Sequence, residues 1–227
     1  MVMTARVHVS PDPRVWVPVP MAWPTAQHPS AEVWAREAGP ALVADQGIDD
    51  PALGERLGIV LAAVAATAHP GHVQARFLHL PDVLAGFMLL ELSAVETDPS
   101  ANRHLVHRGL TEADRDPDVG AVQVHDVALA DGRPLLRVLR FDRPFPTGPV
   151  IGILRHAVRL PAAPGVPGAV DLVATITSSD VEALLRTLGD VEALLEEVRW
   201  DTDDDGRGRD GRAPGTAEEK EKAWTAS

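Results

Sequence analysis

The segment Ala169-Val-Asp-Leu-Val-Ala-Thr-Ile-Thr-Ser-Ser-Asp180, running into Val181-Glu-Ala-Leu-Leu185, decides the fold. Val170, Leu172, Ala174 and Ile176 fall on every second residue with Asp171, Thr175 and Thr177 between them, the period of a strand with one buried face and one wetter one. Val173 breaks the alternation. Upstream, Val150, Leu154, His156, Val158 and Leu160 share one parity, and Arg155 and Arg159 share the other with Ile151 and Ile153. Pro161-Ala-Ala-Pro-Gly-Val-Pro-Gly168 separates the two segments, and its prolines cannot donate to a ladder, so an antiparallel pair joined by a loop is expected.

After Ile176 the period changes to that of a helix. Ser178 and Ser179 are candidate caps, Asp180 and Glu182 suit the positive end of a helix dipole, and Gly189 is a candidate stop. Asp180-Val-Glu-Ala-Leu-Leu185 then recurs as Asp190-Val-Glu-Ala-Leu-Leu195. That offset leaves the second copy roughly 80° short of whole turns, so two short helices bent at Gly189, or one kinked helix, are expected.

Working outward, residues 1–13 read as a flexible lead-in and Arg14 to Pro20 as a short edge strand, since its prolines suit an unpaired edge. Ser30 caps a helix over Ala31 to Ala38 that Gly39-Pro40 should end. Asp50 and Pro51 start a second helix, with Leu53, Leu57, Val60, Leu61 and Val64 on one face and Pro70-Gly71 as its stop. Val73 to Phe77 and Gly86 to Val95 read as strands, the second central because it is almost continuously apolar. Asp98 to Gly120 reads as a polar loop or short helix. Val122 to Leu129, the Asp131-Gly132 turn signal and Leu135 to Phe141 form a hairpin. The expectation is an α+β domain over 14–200, with an antiparallel sheet of about six strands and helices packed on it. Residues 201–227, acidic and poor in apolar side chains, should form a disordered tail.

Composition excludes more chemistry than it suggests. The 227-residue chain has no cysteine and no tyrosine, and its only lysines are Lys220 and Lys222. Disulfides, thiolate metal sites, cysteine nucleophiles and a Schiff-base or phosphate-loop lysine in the folded body are therefore ruled out. A formal charge of −12 opposes a general grip on nucleic acid. The Ala, Arg, Pro and Gly bias is that of a GC-rich genome, with an actinobacterial source expected. The start of the chain has no signal-peptide core, and the longest apolar run, Leu57 to Ala68, is too short to span a bilayer, so a cytoplasmic protein without membrane contact is expected.

Few residues suggest a site. The sequence Asp201-Thr-Asp203-Asp-Asp205-Gly206 begins like a calcium loop, but Arg212 stands where a bidentate glutamate is needed. His69, His72 and His79 are the candidates for a metal, and His104 and His107 form another pair, yet no ligand set of the required number is apparent. His156 reads as a hydrogen-bonded core histidine. Glu91, among leucines, requires an arginine partner or a solvated face. No catalytic set and no cofactor is assigned. The arginines Arg133, Arg137, Arg140, Arg143, Arg155 and Arg159 fall on successive strand-like elements. They either pair with the acidic helices of 180–199 or form an anion-holding strip. Arg137, Arg140, Arg155 and Arg159, with Trp16 and Trp23, make up the candidate partner surface.

The pattern over about 122–200, strand, loop, strand, short helix and Arg199-Trp200, resembles uncharacterised actinobacterial proteins and PsbP-like α/β sandwich domains. That resemblance implies a non-enzymatic accessory module with a protein partner, homo-oligomers being open to it. The alternatives are a metal- or carboxylate-dependent hydrolase using His69, His72 and Glu91, and a small-ligand domain.

Overall fold

The computed structural model describes residues 5–112, 121–143, 147–160 and 168–202. Its centre is β8 (Ala169–Ser178), paired antiparallel on one side with β7 (Ile151–Leu160) and on the other with β4 (Met88–Thr97). Beyond β4 lie β3 (Val73–His79) and the edge strand β2 (Trp16–Val19); beyond β7 lie β6 (Pro134–Asp142) and the edge strand β5 (Gln123–Ala128). The sheet has seven antiparallel strands, where about six were expected. Gly132 turns the β5–β6 hairpin at φ 83°, a conformation glycine adopts at little steric cost.

Helices cover both faces. On the first, Phe77, Leu90, Ile176, Leu154 and Leu139 follow one another across five strands under α4 (Val181–Arg186) and α5 (Leu188–Glu197), whose Leu184, Val191, Leu194 and Leu195 complete that core. On the second, α1 (Ala31–Asp45) and α2 (Pro51–Ala66) set Trp34, Val43, Leu57 and Leu61 against Val19 and Leu78. Further along that face α3 (Arg103–Glu112) sets Leu110 beside Leu136, Val138, Ala157 and Val173. Val173, the exception in the alternation, is thus core of the second face, and β8 has no wet side over most of its length.

Four expectations are corrected. The helix of 31–38 does not end at Gly39-Pro40: α1 runs on through Pro40 to Asp45. Glycine before proline relieves the clash that ordinarily forbids helical backbone there. Gly39 also lies so close to α2 that a Cβ would sit 2.4 Å from the Gly54 carbonyl oxygen. The break after α4 falls at Thr187 rather than Gly189, and Asp180 caps α4 through the Ala183 N–H, with Ser178 Oγ accepting from the Asp180 N–H. The lead-in contains a strand, β1 (Ala5–His8), paired with β9 (Arg199–Thr202), so Arg199-Trp200 ends in a ribbon and not a helix. The domain therefore reaches into both segments expected to be flexible. The calcium-like stretch beyond Thr202 and Trp224 lie outside the described residues.

Candidate functional site

The candidate site residues of the sequence fall mainly into three places, and a fourth place holds none of them. The most buried is under α3. Asp171, fully buried on β8, accepts from His107 Nε2 at 2.9 Å, from Thr97 Oγ1 at 2.6 Å, and from Arg159 through Nε and Nη2, both at 2.9 Å. Arg159 also donates to the Ala101 carbonyl, and Arg155 to that of Thr111 at 3.2 Å, so both arginines hold α3 and its approach to the sheet. Burial alone would raise the Asp171 pKa, but the hydrogen bonds from His107, Arg159 and Thr97 outweigh it and hold the carboxyl well below its ordinary range. His104, one turn before His107, points instead toward Asp126 of β5 at 3.5 Å. The pair therefore does not chelate.

The second place lies across the same face. Arg76, Glu91, Thr175 and Arg155 stand in register on β3, β4, β8 and β7. Arg76 supplies the partner Glu91 requires, with Nε 3.4 Å from Oε1, and its Nη1 donates to the Thr67 carbonyl just past α2.

The third place is under α5 on the first face. Arg137 pairs with Glu192, and His156 Nε2 is 3.9 Å from the same carboxylate without a hydrogen bond. Burial, with the Arg137 charge adding to it, lowers the His156 pKa to about 3. The imidazole is a core group as expected, but its Nε2 is not satisfied. Arg133 donates to the Leu195 and Glu196 carbonyls at the end of α5. Nearby, His79 hydrogen-bonds Asp190 at 2.7 Å and meets the edge of Trp16, whose side chain is itself core at 2% exposure. A cavity of about 280 Å³ beside them is lined by Asp12, Trp16, Asp190 and Glu197.

The candidate arginine strip is therefore divided. Arg137 faces α5, while Arg140, Arg155 and Arg159 sit on the opposite face, Arg140 at 4% exposure. Trp16 is buried, and Trp23 packs beside Trp34 with ring centres 6.2 Å apart. These six residues do not form one surface. His69 reaches the Met21 carbonyl, His72 is exposed, and His79 is taken up by Asp190. Among the described residues no three His, Asp or Glu side chains are grouped to hold a metal ion, and no helix is long and apolar enough to cross a membrane.

The fourth place escaped sequence reasoning. On the outer side of the α1–α2 hairpin, Glu32, Arg36 and Pro40 of α1 and Glu55, Ile59 and Ala62 of α2 line an open groove of about 550 Å³. Ile59 is 72% exposed, the highest value among the large exposed apolar side chains described. The groove exists because Gly39, Gly54 and Gly58 bring the two backbones together, so little side-chain bulk separates the helices. The available signal was Gly54 and Gly58 four residues apart, with Ile59 off the apolar stripe of α2.

No family model matches the chain, and no curated protein matches it. Among solved structures it is similar to LpqN, involved in cell envelope biogenesis of Mycobacterium tuberculosis, at 8% identity and a TM-score of 0.42, over 87% of this chain and 84% of that one. Nothing about function is taken from a likeness of that degree.

Proposed function

We propose that the protein is a non-enzymatic interaction module and that its partner docks on the outer face of the α1–α2 hairpin. The observation that carries this reading is Ile59, an isoleucine held at 72% exposure in a mostly apolar groove with charged residues at its rim. An apolar centre with a polar rim is the anatomy of a protein-binding patch. The polar clusters described elsewhere have other employment. Asp171, His107 and Arg159 hold α3, while Arg133, Arg137 and His79 hold α5.

The test is affinity capture from the native organism with wild-type protein and with Ile59→Glu as matched baits. The reading expects at least one protein retained by wild type and lost from the variant, the two baits melting at the same temperature. Identical recoveries from both baits would contradict it.

A further inference from the structure

We infer that the cavity between the approach to β2 and α5 is a binding site for a small organic cation, an amine or guanidine that also carries a carbonyl or hydroxyl oxygen. It lies on the first face of the sheet, apart from the α1–α2 hairpin, and neither site depends on the other.

Two walls make the cavity. One is the turn that leads into β2, closed by the Val15 and Trp16 N–H groups donating to the Asp12 carbonyl. The other is a single stripe of α5, where Asp190, Ala193 and Glu197 recur at i, i+3 and i+7. Ala193 is exposed and ends at its Cβ, so the hollow lies where a longer side chain would fill it. A volume of about 280 Å³ has room for a molecule of roughly a dozen heavy atoms.

The lining fixes the sign of the charge. Asp12, Asp190, Glu196 and Glu197 contribute carboxylates, and no basic side chain lines the cavity. Asp190 accepts from His79 through Oδ2 alone, and Glu196 accepts from the Ala130 N–H through Oε1 alone. Glu197 makes no ion pair among the described residues. Acceptor oxygens are therefore left on three of the side chains. Among the described residues no three His, Asp or Glu side chains group as ligands for one ion, so charge spread along both walls suits an extended organic cation and not a bare metal.

Trp16 supplies the opposite requirement, a donor. It is 2% exposed and lines the cavity, and its indole N–H makes no hydrogen bond to any described residue. That N–H is not sealed from solvent either, so it opens on the cavity the indole lines. A buried indole N–H ordinarily has a partner, and an oxygen on the bound molecule is the partner this one lacks.

Calorimetric titration of the full chain, at roughly physiological salt and near-neutral pH, tests the inference. The probe is L-argininamide, with agmatine as a similar cation lacking the oxygen, and with succinate and calcium chloride as controls. Argininamide is expected to saturate with a dissociation constant below about 1 mM, at least about threefold tighter than agmatine. Ala193→Leu, at an exposed position, should abolish binding without moving the melting temperature. Glu197→Gln should weaken both cations about fivefold. Trp16→Phe should bring argininamide down to the level of agmatine; if that variant melts early, Ala193→Leu and Glu197→Gln carry the test. The proposal is overturned by no saturable argininamide binding up to about 10 mM, or by equal binding to wild type and Ala193→Leu. It is also overturned if agmatine, calcium or succinate binds as tightly as argininamide.

Discussion

Arg159 and Asp171 face each other on neighbouring strands through two hydrogen bonds of 2.9 Å, Nε to Oδ1 and Nη2 to Oδ2, and the carboxylate is fully buried. The same carboxylate accepts from His107 and Thr97, so one side chain ties β8 to β7, β4 and α3. Replacing it leaves a guanidinium and an imidazole without their acceptor. Asp171→Ala is therefore expected to cost about 3–5 kcal/mol, read as a drop in the urea midpoint. A loss under about 1 kcal/mol, within the range of surface ion pairs, would show that the centre does not hold the fold.

Acid sensitivity has two separate windows. For His156 the pKa in the fold, about 3, lies below the ordinary 6.5. The unfolded chain therefore binds the proton first. Stability falls as pH drops from about 6.5 toward 3, with a slope approaching about 1.4 kcal/mol per pH unit. Asp171 is also depressed, from an ordinary 3.8, so its contribution is complete above that value and is lost only at more acid pH. His156→Leu should flatten the upper window and leave the lower one. Chemical denaturation at stepped pH reads both, and an unchanged slope in the variant would assign the upper window to other groups.

The hairpin depends on glycine at the crossing. A Cβ at Gly39 would lie 2.4 Å from the Gly54 oxygen and 2.6 Å from the Gly58 nitrogen, both backbone atoms that move only with their helix. Gly39→Ala is expected to destabilise by about 1–3 kcal/mol or more. Gly109, inside α3 with nothing within 4 Å of an added Cβ, is the contrast. There alanine should stabilise by up to about 1 kcal/mol through helix propensity. Thermal unfolding of the two variants should move in opposite directions.

What was legible in the sequence was what local periodicity and turn chemistry carry. Strand alternation located β8 and β7, Asp50-Pro51 located the start of α2, and Asp131-Gly132 located a hairpin turn. Three features were not legible because their causes are remote in the chain. The pairing of Ala5–His8 with Arg199–Thr202 joins the two ends of the domain, and neither segment is apolar enough to announce itself. The helix α3 is polar along most of its length, and its inward side is marked only by His107, Leu110 and Thr111. Asp171 reads as the wet side of a strand until α3 covers it. Arg137 pairs with Glu192, an acidic residue of the helices in 180–199, as one of the two readings of the arginines expects. Grouping them as a strip failed because residues an odd number apart, such as Arg137 and Arg140, take opposite faces. The exposed Ile59 groove is a product of helix packing, visible only when α1 and α2 are side by side.

The most direct test of the docking face is a photo-crosslinking amino acid placed at position 59 in the full chain within living cells of the native organism, with the same group at position 125 on the opposite sheet edge as a control. The account predicts discrete higher-mass adducts from position 59 and not from 125. Adducts from 125 alone, with none from 59, would contradict it.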